Sequence, residues 1–172
     1  MPRQKTPKDS ETHRTSASHP RATRSERLDA RITSQQAKRN IAATTVMLVD
    51  SDTRIAGYYS LSSARIDIGE MPADLARKFP KYSEGIPATL IGRLAVDAAY
   101  LGKGWGKRLL MNALQTAHKT AGQVASAFVI VRAIDDEAFK FYARYGFIAM
   151  PSDPRRLFLP MSTIAKLVQS RG

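Results

Sequence analysis

The sequence contains no cysteine, which excludes a disulfide scaffold, a zinc–thiolate site and a cysteine nucleophile. Histidine is nearly absent: there are three, and His13 and His19 fall in the first twenty residues, so no metal centre is expected. No stretch approaches the roughly 20 consecutive apolar residues of a membrane span, and no apolar segment follows the basic N-terminus as in a secretory signal. A soluble, cytoplasmic protein with no membrane partner is the expectation. Acidic residues are scarce, with 15 Asp+Glu against 27 Lys+Arg, a formal net charge of +12 and a pI near 10.3. That surplus points to polyanionic partners: nucleic acid, a phosphate-rich cofactor or an acidic membrane face. The chain has 172 residues, 43% of them hydrophobic, which suits one folded unit because chains split into several cores mainly above about 250 residues. A mean hydropathy of -0.31 implies that part of the chain stays outside that core.

The charge is unevenly placed. Residues 1–40 hold ten Lys/Arg and four Asp/Glu, so half of the surplus lies on less than a quarter of the chain. Residues 1–24 are rich in Pro, Ser, Thr, Lys and Arg with almost nothing to bury, and are expected to be a disordered basic tail. Residues 25–172 are expected to form the folded domain. Its own cations, among them Arg77, Lys78, Lys81, Lys103, Lys107 and Arg108, belong to folded surface.

Ser25 to Asn40 reads as a helix, with Ser25 as N-cap and Leu28, Ile32 and Gln36 at fourfold spacing. Thr44–Asp50 is β-branched and apolar, and Ile55–Arg65 is the returning strand of a hairpin turned at Ser51-Asp52. Asp74–Phe79 is a short helix closed by Pro80, and Ala88–Val96 a third strand. Gly104–Ala121 is a helix with Leu110, Leu114, Ala117 and Ala121 on one stripe. Val124–Ala133 is almost continuously apolar, as in a strand buried on both faces. Asp136–Tyr145 is a helix with acids in its first turn and Gly146 past its end. Phe147–Met150 and Arg156–Leu159 make a last strand pair, and Ser162–Val168 a terminal helix. Antiparallel strands followed by an alternation of strand and helix argue an α/β fold with a mixed sheet.

The densest chemical signal follows the third strand: Gly92-Arg93-Leu94-Ala95-Val96-Asp97, then Leu101-Gly102-Lys103-Gly104-Trp105-Gly106-Lys107. The first four N–H groups of the helix that opens there lack intrahelical partners, and its dipole adds about half a positive charge. Glycines let backbone approach a phosphate, and Lys103 and Lys107 add charge at the same mouth. The spacing is neither a Walker A loop nor a G-x-G-x-x-G dinucleotide fingerprint. Alone, the turn suits a pyrophosphate or a merely structural bend.

In sequence this turn resembles the acetyl-CoA motif of the GNAT N-acetyltransferases. Downstream, Phe141-Tyr142-Ala143-Arg144-Tyr145-Gly146-Phe147 is similar to the F-Y-x-x-x-G-F ending of that family's last core helix. Within the family the resemblance is closer to the toxins of type II toxin–antitoxin pairs. It is carried by Ile55–Leu61, Ile86-Pro87 through Gly92–Asp97, the Gly102–Gly106 turn and Ala138–Phe147, and spans residues 45–165. It implies the GNAT fold, a mixed central sheet with antiparallel N-terminal strands and flanking helices. It further implies that backbone groups of Leu94, Ala95 and Val96 pair with the pantetheine arm of acetyl-CoA. Gly102, Lys103, Gly104, Trp105, Gly106 and Lys107 would hold the pyrophosphate, and Tyr142 would protonate the departing thiolate. A phenol with an ordinary pKa near 10 is protonated at neutral pH and suits that task; without the motif, Tyr142 would read as a core aromatic.

The third strand contains no acid between Thr89 and Val96, and Glu84 and Asp97 lie only at its edges. A lysine acceptor, with reference pKa near 10.4, would need a base there. An α-amine, near 7.7–8.0 and lowered further by an adjacent ester, would not. This favours an α-amine, and an aminoacyl ester more than a protein lysine, and the basic surface fits an acceptor carried on RNA; the resemblance names aminoacyl-tRNA as that acceptor and adds translation inhibition, a ribbon–helix–helix antitoxin and a homodimer. Two other readings stay open on the sequence: a protein N-terminal or small-amine acetyltransferase, and a catalytically impaired RNA- or partner-binding module. Leu101 stands where the family usually has Gln or Arg. Asp135 stands where a small polar residue is usual, and is expected to cap the helix after it. Met1–Arg24 supplies no first strand, so either the start is misplaced or that strand has been lost.

Overall fold

A computed structural model describes residues 38–39, 42–48, 55–80 and 85–169. The expected tail at residues 1–24, nearly all of the expected helix at Ser25–Asn40 and the hairpin turn at Ser51-Asp52 lie outside the described residues.

Six strands form one sheet in the order β1-β2-β3-β4-β6-β5, with β1 at Ala43–Leu48, β2 at Ile55–Ile66, β3 at Ile86–Val96, β4 at Phe128–Arg132, β5 at Ile148–Ala149 and β6 at Arg156–Pro160. All neighbours are antiparallel except β3 and β4. The connection between those two is the helix α2, Trp105–Ala121, as a parallel pair requires. A short α1 (Ala73–Ala76) follows β2, α3 (Asp136–Ala143) follows β4, and α4 (Met161–Gln169) ends the described chain. This is the expected mixed α/β architecture. Among the described residues no helix is long and apolar enough to cross a membrane.

The apolar run of β4 is continuous because both of its faces are covered. Val129 and Val131 join the cluster beneath α2, α3 and α4, while Phe128 and Ile130 join a second cluster with Ile66, Met71 and Phe158 on the other face. Phe128 is sandwiched by Phe79 and Phe158, with ring centroids at 5.1 and 5.7 Å. β4 begins at Phe128 rather than at Val124, because the N–H groups of Gln123 and Val124 still turn back to Thr120 O at 2.9 Å. α2 buries a broader surface than one stripe. Leu109, Met111 and Ala113 are buried beside Leu110, Leu114 and Ala117, since the sheet covers one side and Ile164 and Leu167 of α4 pack in the same cluster. Ala121 is only half-buried.

Tyr59 of β2 is fully buried under α2, and its hydroxyl donates to Asn112 Oδ1 at 2.7 Å. On the other face Arg156 of β6 forks onto both carboxylate oxygens of Glu70, at 2.9 and 3.0 Å, and donates to Arg65 O. That fork ties the turn after β2 to the far side of the sheet.

Candidate active site

The site begins with a defect in strand pairing. Along β2 and β3, Ser60 pairs with Arg93 and Leu61 with Ile91, which leaves Gly92 as an extra residue. A bulge of this kind bends its strand and sharpens the local twist. The parallel ladder between β3 and β4 ends at the same place, with Ile91 opposite Val131. Beyond it β3 pairs only with β2: Leu94 with Tyr59, Ala95 with Tyr58 and Val96 with Gly57. The other edge of Leu94–Val96 is therefore open to an extended ligand. A cavity of about 620 Å³ occupies the gap, lined by Tyr58, Arg93, Leu94, Ala95, Ala133, Ile134 and Tyr142 among others.

The docking of α2 on the strands that carry this edge depends on Gly57. A Cβ there would lie 2.4 Å from Ala95 O and 2.6 Å from Leu109 Cδ1, so the side-chain-free position lets α2 sit directly on β2 and β3.

After β3, Asp97 caps a single 3-10 turn at Ala98–Tyr100 by accepting from Ala99 N at 2.9 Å. The glycine turn follows. Gly102 and Gly104 adopt φ of +72° and +79°, while a Cβ on either would meet nothing within 4 Å. Backbone conformation, not close packing, makes glycine the fitting residue at both. Gly106 is different. It has helical backbone inside α2, and a Cβ on it would rest 3.6 Å from Phe141 and 3.8 Å from Val96 Cγ2. It is the point where the end of β3, the start of α2 and the side of α3 meet. Gly104 caps α2 without a side chain, and Arg108 donates back to Gly104 O at 3.2 Å. The preceding N–H groups, from Gly104 to Lys107, have no acceptor among the described residues and form an anion-seeking cluster.

The two lysines of the turn are not equivalent. Lys103 Nζ donates to Ala99 O at 3.0 Å and lies 5.6 Å from the Tyr100 ring centroid. Lys107 is exposed and has no partner among the described residues. Trp105, the first residue of α2, has the Arg108 guanidinium 4.9 Å from its ring and Tyr100 at 6.0 Å. Leu101 is 63% exposed and offers no polar group to the turn.

Tyr142 comes from α3. Asp135 caps that helix by accepting from Ala138 N at 2.7 Å, the role expected for it. The Tyr142 ring is wedged between Phe141 and Phe147, at centroid distances of 5.2 and 5.5 Å, and is 7% exposed. Burial pushes its phenol up to about 12, so it is fully protonated at neutral pH. Its hydroxyl has no hydrogen-bond partner among the described residues, and the residue lines the cavity.

Three arginines join the cavity wall: Arg93, Arg132 and Arg155. Sequence reasoning missed the last two, since only strand register brings them there. Arg132 pairs with Asp153 and Arg155 with Asp136, each at 2.7 Å. At Asp153 desolvation pushes the carboxyl up, but hydrogen bonds from Arg155 N and the Arg132 side chain outweigh it and hold it below its ordinary value. Among the described residues, no carboxylate and no histidine lines the cavity. Asp97 is committed to its cap, and Glu84 lies outside the described residues. No group of three or more metal-ligating side chains occurs among the described residues.

These elements agree with what comparison finds. Residues 81–162 match the acetyltransferase (GNAT) domain family. A tRNA-acetylating toxin of Mycobacterium tuberculosis is 32% identical over 68% of this chain and 69% of its own length. The probable toxin TacT of Sinorhizobium fredii is 34% identical over 72% and 71%. The chain belongs to the GNAT acetyltransferases, in their toxin branch. Among solved structures, a tyrosine-to-phenylalanine mutant of KacT superposes with a TM-score of 0.74 at 30% identity, over 83% of this chain and 86% of its own. AtaT complexed with acetyl-methionyl-tRNAfMet gives 0.73 at 26% identity over the same shares. AtaTR bound with acetyl-CoA gives 0.68 at 27%, over 83% and 85%.

Proposed function

We propose that this GNAT protein is a toxin that transfers acetyl from acetyl-CoA to the α-amino group of aminoacyl-tRNA and so stops translation. The carrying observation is a buried, protonated phenol at the wall of a cavity that has no carboxylate or histidine among its described lining residues. Such a site supplies an acid for the leaving group and leaves the acceptor to arrive neutral. An α-amine meets that demand, with a pKa near 7.7–8.0 lowered further by its ester. A lysine side chain does not. The tRNA-acetylating relative and the AtaT complex with an acetylated aminoacyl-tRNA support the same acceptor.

In this reading the open edge of Leu94, Ala95 and Val96 pairs with the pantetheine arm as an added strand would. The N–H groups of Gly102 to Lys107, with the Lys107 ammonium, hold the pyrophosphate. The acceptor nitrogen attacks the thioester carbonyl and forms the new C–N bond. As the C–S bond breaks, Tyr142 gives its proton to the thiolate sulfur, and the proton lost from nitrogen returns the balance through solvent. Leu101 withholds a side-chain donor from the pyrophosphate, and the backbone amides carry that contact. The same reading places the protein in the cytoplasm as a homodimer held by a ribbon–helix–helix antitoxin.

Induced expression without an antitoxin is expected to arrest growth and to leave N-acetylated amino acid on tRNA. Tyr142→Phe removes the proton donor while keeping the ring, and should lower kcat by about 100-fold or more and relieve the arrest. Arrest by the variant equal to that by the wild type would sink the assignment of Tyr142.

A further inference from the structure

Two large side chains with apolar surface stay out of both core clusters and line the cavity instead, Tyr58 and Ile134. Tyr59 is buried under α2, so strand alternation turns Tyr58 to the other face of the sheet. Its partner across the ladder is Ala95, whose methyl leaves the ring next to the open edge of β3. Ile134 follows β4 and is 89% exposed, although Ala133 before it is buried.

Ile134 is nonetheless held in place. On one side Ala133 N donates to Arg155 O at 2.8 Å. On the other, Asp135 accepts from Ala138 N at 2.7 Å with its carboxylate and from Phe139 N at 3.0 Å with its carbonyl. The pairs Arg132–Asp153 and Arg155–Asp136, each at 2.7 Å, tie the adjoining segments together. Those two arginines are spent on the frame, and the side chain they frame is apolar. A lone isoleucine scattered on a surface carries no message. One held rigid at the rim of a concave site does, because little ordering cost opposes its burial by a ligand.

The other parts of the cavity have their tasks: the glycine turn for the phosphates, the edge of Leu94–Val96 for the arm, and Tyr142 for the thiolate. The acceptor reaches the thioester across the surface that is left. We propose that Ile134, with the Tyr58 ring, holds the side chain of the acceptor's amino acid, so that large apolar aminoacyl groups are taken in preference to small or polar ones. The inference rests on the aminoacyl-tRNA reading and names the acceptor within it. A leucyl group covers the exposed isoleucine and frees water from both. An alanyl group covers little of it, and an asparaginyl group of nearly leucine's shape gives up its own hydration to do so.

One tRNA body, charged in turn with leucine, alanine and asparagine by an aminoacylating ribozyme, tests this by initial rates with acetyl-CoA and purified full-length protein. The kcat/KM for the leucyl form should exceed those for the alanyl and asparaginyl forms by about tenfold or more. Ile134→Ala should bring the three within about threefold of one another. It should leave the melting temperature and the KM for acetyl-CoA where they were, because the lost side chain supports no core. Ile134→Leu should keep the preference. Near-equal rates for the three acceptors in the wild type overturn the proposal, and so does a preference that survives Ile134→Ala. A raised KM for acetyl-CoA with the ratios unmoved overturns it too, since Ile134 then lies against the pantetheine arm. Modification of a free small amine but of none of the charged tRNAs overturns the aminoacyl-tRNA reading itself, a result distinguishable from the others.

Discussion

Gly102 and Gly104 hold their positions by conformation, and Gly106 does not. A left-handed backbone costs a residue with a Cβ about 1–2 kcal/mol, and both positions lie in that region although space around them is open. Gly104→Ala is therefore expected to lower stability by about that amount and to weaken acetyl-CoA binding, because the turn re-aims its amides to relieve the strain. Gly106→Ala meets only ordinary contacts with Phe141 and Val96, and gains up to about 1 kcal/mol of helix propensity. Thermal melts with calorimetric titration of acetyl-CoA separate the two variants; equal loss in both would contradict this division. In the sequence the three glycines look alike, since φ is not written in the letters. The lysines looked alike for the same reason, until Ala99 O was found to engage Lys103 and leave Lys107 available.

At the scale of elements, the fit between α2 and the sheet turns on one glycine. Gly57 permits the contact, and an added Cβ would collide with the Ala95 carbonyl and Leu109. Backbone cannot yield there as a side-chain tip can, so Gly57→Ala should cost about 1–3 kcal/mol, a melting shift of about 2–4 °C per kcal/mol for a chain of this size. It should also raise KM for acetyl-CoA more than it lowers kcat, because Ala95 is displaced while Tyr142 is not. A Km unchanged beside a lowered melting temperature would show that the contact serves stability alone. Most elements were legible from local pattern: β2 as the returning strand of a hairpin, the apolar run of β4, and the acids and Gly146 that bracket α3. The bulge at Gly92 was not, nor the divergence of β3 from β4. Both are properties of long-range register, which local patterning does not encode. Arg132 and Arg155 escaped notice by the same route, while Tyr142 was found through its motif and not through its burial.

For the molecule as a whole, the buried phenol links folding to alkaline pH. Tyr142 has a pKa of about 12 in the folded state against about 10 when unfolded. The folded state thus holds this proton more tightly, and the contribution is fully present below pH 10. As pH rises from about 10 to about 12 the unfolded state ionises first, and on the order of 2–3 kcal/mol of stability is lost. Denaturant midpoints taken near pH 8 and near pH 11 should fall less in Tyr142→Phe than in the wild type; parallel falls would mean that other groups account for the loss. Charge has a place at this scale too. Half of the surplus that first suggested a polyanion lies on residues 1–40. Within the rest, Lys103, Lys107 and Arg108 gather at the glycine turn, whereas Arg132 and Arg155 at the cavity are each held by an aspartate. The sole tryptophan of the chain is Trp105, at the first position of α2. Its indole sits against Arg108 and Tyr100, beside the amides proposed to meet the pyrophosphate. The protein therefore carries one indole beside its six tyrosines, and emission excited beyond the tyrosine absorption band belongs to the glycine turn and to no other part of the chain.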